Sequence, residues 1–170
     1  NVLIESGSVR MPTIASNASC KNLTINNGAS VTTTLAGTLN IAGNLVNNGT
    51  MVNNGTTHFN GTTGQQTFSG ANSFYNFTLN NTAGIVLPTA ISVVNNMVIN
   101  AGTLNANNFS ISVGGNWTNN ASSGSFTAGT STVNFSGTGN QVIGGSYSTQ
   151  FNNLTITNSS AVVSLAINET

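Results

Sequence analysis

Asn22-Leu23-Thr24-Ile25-Asn26-Asn27-Gly28 carries the pattern that decides the fold. Two apolar side chains are separated by one hydroxyl. A strand here puts Leu23 and Ile25 on one face and Thr24 on the other. The Asn-Gly pair then supplies a tight turn, because glycine takes positive φ freely and asparagine takes it more readily than other side chains. Moving outward, the same short patches recur as Leu39-Asn40-Ile41, Phe77-Thr78-Leu79, Met97-Val98-Ile99 and Val133-Asn134-Phe135, with Asn48-Gly49, Asn54-Gly55 and Asn60-Gly61 among the turns. Sandwich strands are punctuated about every 8–12 residues, and the patches here follow one another more closely than that. The spacing predicts an all-β fold, a right-handed parallel β-helix (β-solenoid) of about seven to eight coils, each with three short strands in roughly 20–23 residues.

The chain also repeats at longer range. Asn22-Leu23-Thr24-Ile25 returns as Asn76-Phe77-Thr78-Leu79 and as Asn153-Leu154-Thr155-Ile156, at separations of 54 and 77 residues. Gly43-Asn44-Leu45-Val46-Asn47-Asn48 returns as Gly115-Asn116-Trp117-Thr118-Asn119-Asn120. Phe59-Asn60-Gly61-Thr62 returns as Phe135-Ser136-Gly137-Thr138, each followed by a glutamine, Gln66 or Gln141. The expectation is a single solenoid domain over residues 1–170, with units at about 22–75 and 76–152 and a further unit starting near 153. The longer second unit fits insertion of about one coil, which solenoids tolerate because each coil touches only its neighbours. Equivalent motif positions are expected to stack, so Leu23, Phe77 and Leu154 should form one inward row and Ile25, Leu79 and Ile156 another. Leu45, Trp117, Phe59 and Phe135 should also point inward, while Thr24, Thr78 and Thr155 face water.

Composition supports this and excludes much else. Of 170 residues, 31 are Asn, 25 Thr, 20 Ser and 19 Gly, while only four are charged: Glu5, Arg10, Lys21 and Glu169. Ordinary domains are about 25% charged. Amides and hydroxyls must therefore keep this surface wet. The chain is 38% hydrophobic, enough to build a core, so disorder is not expected. No apolar run is long enough to span a bilayer, and no membrane insertion is expected. Cys20 is the only cysteine, so it has no internal disulfide partner; a buried small hydrophobe is the favoured reading.

The segments Cys20-Lys21-Asn22-Leu23-Thr24-Ile25, Gly115-Asn116-Trp117-Thr118-Asn119-Asn120 with residues 126–135, and Phe151-Asn152-Asn153-Leu154-Thr155-Ile156 resemble the β-helical repeats of very large secreted surface proteins of Bacteroidota, including adhesin-like cargo of the type IX secretion system. The resemblance covers nearly the whole chain. It implies export, an extracellular or cell-surface location in a bacterium, and a structural or adhesive role. It transfers no catalytic residues.

The residues give chemistry little to work with. General acid–base catalysis needs a positioned proton carrier, and glycosidases need two carboxylates flanking one bond. Glu5 and Glu169 lie at opposite ends of the sequence. His58 is the one candidate base or ligand, yet it precedes Phe59 as Asn134 precedes Phe135, so the position accepts Asn and should point outward. One His, one Cys and no Asp cannot make the usual zinc or calcium sets, and no cofactor is expected. Two basic residues cannot bind nucleic acid. Trp117 sits where Leu45 does and is read as core. Tyr75 and Tyr147 lie near unit boundaries and are candidates for exposure.

What remains is a non-catalytic structural module of an extracellular fibre, filament or adhesin. Solenoids need polar caps to stay soluble alone. Val2, Leu3 and Ile4 at one end, and Val162, Val163, Leu165 and Ile167 at the other, are instead apolar. These ends are expected to stack on continuing coils or on head-to-tail copies of the same protein. The alternative is a surface module that binds glycans, or less favourably ice, through outward Thr and Asn columns. Thr32-Thr33-Thr34 and Thr130-Ser131-Thr132 are the local hints of such arrays.

Overall fold

The computed structural model describes residues 1–166. Within them the chain winds through short strands, three to a coil. The first coil has β1 (Val2–Ile4), β2 (Thr13–Ile14) and β3 (Asn17–Cys20), and the second β4 (Leu23–Ile25), β5 (Ser30–Thr33) and β6 (Thr38–Ile41). The third has β7 (Leu45–Asn47), β8 (Thr50–Asn53) and β9 (Thr56–Phe59); the fourth has β10 (Phe68–Gly70), β11 (Ser73–Phe74) and β12 (Asn76–Asn80). Next come β13 (Ile85–Val86), β14 (Ile91–Val93) and β15 (Met97–Ala101), then β16 (Leu104–Asn105), β17 (Ile111–Val113) and β18 (Trp117–Asn119). The seventh coil is β19 (Phe126–Thr127), β20 (Thr132–Phe135) and β21 (Gln141–Gly145), and an eighth adds β22 (Asn153–Ile156) and β23 (Val163–Leu165).

Each strand pairs in parallel with its counterpart one coil away, so the molecule is a β-solenoid of about eight coils with three faces. One face is an unbroken eight-stranded sheet from β3 to β23. The second starts as β1-β4-β7-β10 and continues as β13-β16-β19, linked by a parallel bridge between Gln66 and Ile85. The third starts as β2-β5-β8 and continues as β11-β14-β17-β20-β22.

Alternation within each strand builds the core. On the long sheet the register aligns Leu39, Thr57, Phe77, Met97, Trp117 and Ile143 in one inward row, and Cys20, Ile41, Phe59, Leu79 and Ile99 in another. Nearly all are buried completely. Aromatic rings pool across the faces: Phe59, Phe68, Phe74 and Phe77 pack with centroids 5.1–6.1 Å apart, and Trp117, Phe126 and Phe151 with centroids 5.0–5.8 Å apart. Such tilted and edge-on pairs add to the area they bury.

The register corrects the stacking expected from the motifs. Leu23 lies in β4, Phe77 in β12 and Leu154 in β22, on three different faces. Leu45 and Trp117, and likewise Phe59 and Phe135, are also on different faces. The first motif interval covers two coils and two faces of the next; the second covers three coils and two faces. Each repeat therefore restarts one face short of a whole number of coils, and the second unit is longer by one coil. The reason is local: the same Asn-apolar-Thr-apolar recipe makes a half-buried strand on any face. Its recurrence marks a strand and a corner without marking which side of the rod they occupy.

Candidate functional surfaces

The most ordered polar features run along the rod. Asn22 Oδ1 accepts from the Asn44 N–H at 2.7 Å, and Asn44 Oδ1 from the Thr67 N–H at 3.0 Å. On the long sheet Asn76, Asn96 and Asn116 do the same, their Oδ1 atoms accepting from the N–H of Asn96 (3.2 Å), Asn116 (2.9 Å) and Val142 (2.8 Å). These asparagines just precede inward apolar residues, so each spans the gap to the next coil where a corner interrupts the backbone ladder.

Two glutamines are buried inside the wall. Gln66 Oε1 accepts from the Gly61 N–H at 2.8 Å, while its Nε2 donates to the carbonyls of Ile41 and Gly43. Gln141 repeats this with Gly137 (3.1 Å), Val113 (3.0 Å) and Gly115 (2.7 Å). Asn81 donates to Gln66 Oε1 at 3.1 Å and Asn158 to Gln141 Oε1 at 3.0 Å. The bracket is thus built twice. The sequence shows the recurring Gln; what it clamps emerges only from three coils lying side by side.

The titratable groups are scattered. His58 is half-buried on the outward side of β9, its Nδ1 3.0 Å from Asn40 Oδ1. Because that oxygen can only accept, Nδ1 carries the proton, and Nε2 is buried without a partner. Burial pushes the His58 pKa down. The Cys20 thiol, half-buried at the inner side of β3, is pushed up by burial. Among the described residues no three His, Cys, Asp or Glu side chains gather as metal ligands would, and no helix is long and apolar enough to cross a membrane. Trp117 is fully buried, its Nε1–H donating to Thr149 Oγ1 at 3.0 Å. Tyr75 is half-buried and Tyr147 exposed.

At the two ends of the rod the inward rows come into view. Val2 is 43% exposed, and with Ile14, Cys20, Leu23 and Leu39 it lines an apolar hollow of about 160 Å³. Leu3 is exposed on the outward side, aligned with Thr24. Ile4, expected to be part of the end surface, is only 6% exposed and lines the same hollow. At the opposite end Leu154 and Ile156, expected as buried members of inward rows, are 42% and 53% exposed. Their register with buried Val133 and Phe135 puts them on the inner side of β22, and they are bare because no described strand stacks beyond it. Val162 and Leu165 are exposed and Val163 is half-buried; Ile167 and Glu169 lie outside the described residues.

The hydroxyl arrays read along single strands are corrected too. Thr33 and Ser131, the middle residues of those triplets, are buried, because alternation turns every second side chain inward. The outward column instead crosses coils on the third face, where the register aligns Ser73, Ser92, Ser112, Asn134 and Thr155. Ser112 Oγ lies 2.8 Å from Ser136 Oγ, and Thr157 Oγ1 donates to Asn134 Oδ1 at 3.1 Å. No family model matches the chain, and no curated protein or solved structure is significantly similar to it.

Proposed function

We propose that this chain is a non-catalytic rod segment of an extracellular fibre, filament or cell-surface adhesin, joined end to end with further coils of its own chain or of a second copy. The observation that carries this reading is the continuation of the inward rows to both ends of the rod, where Val2 at one end and Leu154, Ile156 and Leu165 at the other stand exposed in register with buried residues. Another coil laid on either end would bury these side chains and pair the open strand edges, which otherwise recruit strands. A contact of this head-to-tail kind that does not close on itself extends into a fibre. The near absence of charge removes the repulsion that would oppose it.

Electron micrographs of the concentrated chain and of native material test this. Rods longer than a single chain's coils are expected. Discrete, monodisperse single-chain particles at high concentration, together with no fibre in native material, would remove the proposal. A second reading, glycan binding, is favoured by the Ser73–Thr155 column, whose neighbours stand about 4.8 Å apart as strands do. Saturable binding on a glycan array, lost when Ser112 and Asn134 are exchanged for leucine, would support it.

A further inference from the structure

We infer that Asn27 is a self-modifying site, the one Asn-Gly pair of this fold built to lose its amide in the folded state. The chain has four such pairs, Asn27-Gly28, Asn48-Gly49, Asn54-Gly55 and Asn60-Gly61, all at solenoid corners. The chemistry is intramolecular. The backbone nitrogen of the glycine, after losing its proton to solvent, attacks Cγ of the asparagine. A C–N bond forms, the bond from Cγ to the side-chain nitrogen breaks, and ammonia leaves. Water then opens the resulting cyclic imide to aspartate or isoaspartate. The step needs a solvent-accessible amide, a glycine N–H not held in a hydrogen bond, and room for a five-membered ring.

The structure distinguishes the four pairs on these requirements. At Asn48-Gly49 the glycine is half-buried and its N–H donates to Asn47 Oδ1 at 3.3 Å. At Asn60-Gly61 the glycine is buried and its N–H donates to Gln66 Oε1 at 2.8 Å. At Asn54-Gly55 the glycine is buried, with the carbonyl oxygens of Gly37 and Thr34 crowding the space where a Cβ would stand. At Asn27-Gly28 both residues are exposed. The turn is closed by the Ala29 N–H on the Asn26 carbonyl at 2.9 Å, which leaves the Gly28 N–H with no acceptor among the described residues. Gly28 has φ +77°, and a Cβ built there would meet only Ser6 Cβ, at 3.2 Å. No wall backbone crowds this corner, whereas at each of the other three a backbone oxygen stands within 3 Å of the same point.

Conversion matters more here than on an ordinary surface. The formal net charge is zero and only four side chains are charged, so one new carboxylate changes the charge of the whole molecule. It would arise beside the turn that holds Glu5, since β1 and β4 run in register from Val2–Leu23 to Ile4–Ile25. Like charges on neighbouring strands repel. The modification would therefore loosen the first coil with age.

The test incubates the full chain at mildly alkaline pH, folded and in concentrated urea, and follows each pair by peptide mass mapping and the whole chain by isoelectric focusing. In the folded arm Asn27 should convert at least about fivefold faster than the other three, because their glycines react only after local opening. In urea all four should convert at similar rates. The first acidic band should disappear in Asn27→Gln, whose longer side chain cyclises poorly. Conversion of Asn48, Asn54 or Asn60 before or together with Asn27 in the folded arm would overturn the inference. So would an intact Asn27 there while the urea arm reacts.

Discussion

At the residue scale the wall depends on a few buried amides. Gln66 ties neighbouring coils together: it accepts from the buried Gly61 N–H and donates to the half-buried Gly43 carbonyl and to the Ile41 carbonyl, which also accepts from the Asn60 N–H. Replacing it with leucine keeps the volume and orphans the buried Gly61 N–H. Gln66→Leu should lose about 2 kcal/mol, since an unsatisfied buried group costs about 1–3 kcal/mol, and Gln141→Leu, whose partner Gly137 is only half-buried, should lose less. Urea midpoints read the loss, and a change within error would show that the brackets are dispensable. His58 sets a second residue-scale expectation. Its folded pKa lies below the ordinary value near 6.5, because protonating Nε2 would charge a buried nitrogen that has no acceptor. A depressed folded value means the unfolded chain takes the proton more readily. The stability present above the unfolded pKa is therefore lost as pH falls through the lowered folded one. A pH series of thermal midpoints should bend downward below about pH 6.5. The bend should vanish in His58→Asn, which places there the residue type of its register partner one coil away, Asn40.

At the scale of the element, strands this short hold only because neighbours align them. Three-residue strands such as β4 and β7 bury two side chains each, and parallel pairing sets these four in two rows. Close approach is part of that alignment. Gly70, at φ +84° in β10, lies against the Asn47 carbonyl in register beneath it, and Gly145 lies likewise over Asn119. Any Cβ at Gly70 meets that backbone oxygen at far below contact distance. Gly70→Ala should therefore cost more than the roughly 1 kcal/mol of an ordinary positive-φ glycine. Gly64→Ala, with nothing near its Cβ and no positive φ, should be close to neutral. Circular dichroism melts of the two variants decide this, and equal melts would refute the packing account. The alternation of Leu23, Thr24 and Ile25 made the strands legible beforehand. The glycines that let coils meet were legible only as turn residues.

At the scale of the whole molecule the solenoid behaves as a stack whose units are coils. The second repeat exceeds the first by one coil, and the ladder of Asn76, Asn96 and Asn116 recurs every 20 residues. Excising residues 97–116 should bring Trp117 into the place of Met97, Phe126 over Ile85 and Phe135 over Val93, with every face kept in phase. That variant should keep its β-sheet spectrum and unfold cooperatively with only a modest loss of stability, as expected where coils contact only their neighbours. Excising residues 97–106 instead shifts the chain by part of a coil, turns inward residues outward, and should not fold. If both deletions fold equally well, or neither does, the coil is not the unit of stability.

The sequence alone determined that this chain would be all β, made of short half-buried strands with amide and hydroxyl surfaces, and wound into stacked coils. Period-two alternation and Asn-Gly corners are local properties, and local physics reads them directly. It could not determine the phase of the winding. Which face each copy of the Asn-apolar-Thr-apolar motif occupies depends on the summed lengths of every strand and corner before it. For that reason the equivalence of Leu23, Phe77 and Leu154 dissolved, and Leu154 and Ile156 came to rest on an open end. The inter-coil partners of Gln66, Gln141 and the ladder asparagines were likewise decided only by tertiary stacking, since the groups they satisfy lie one or two coils away along the rod.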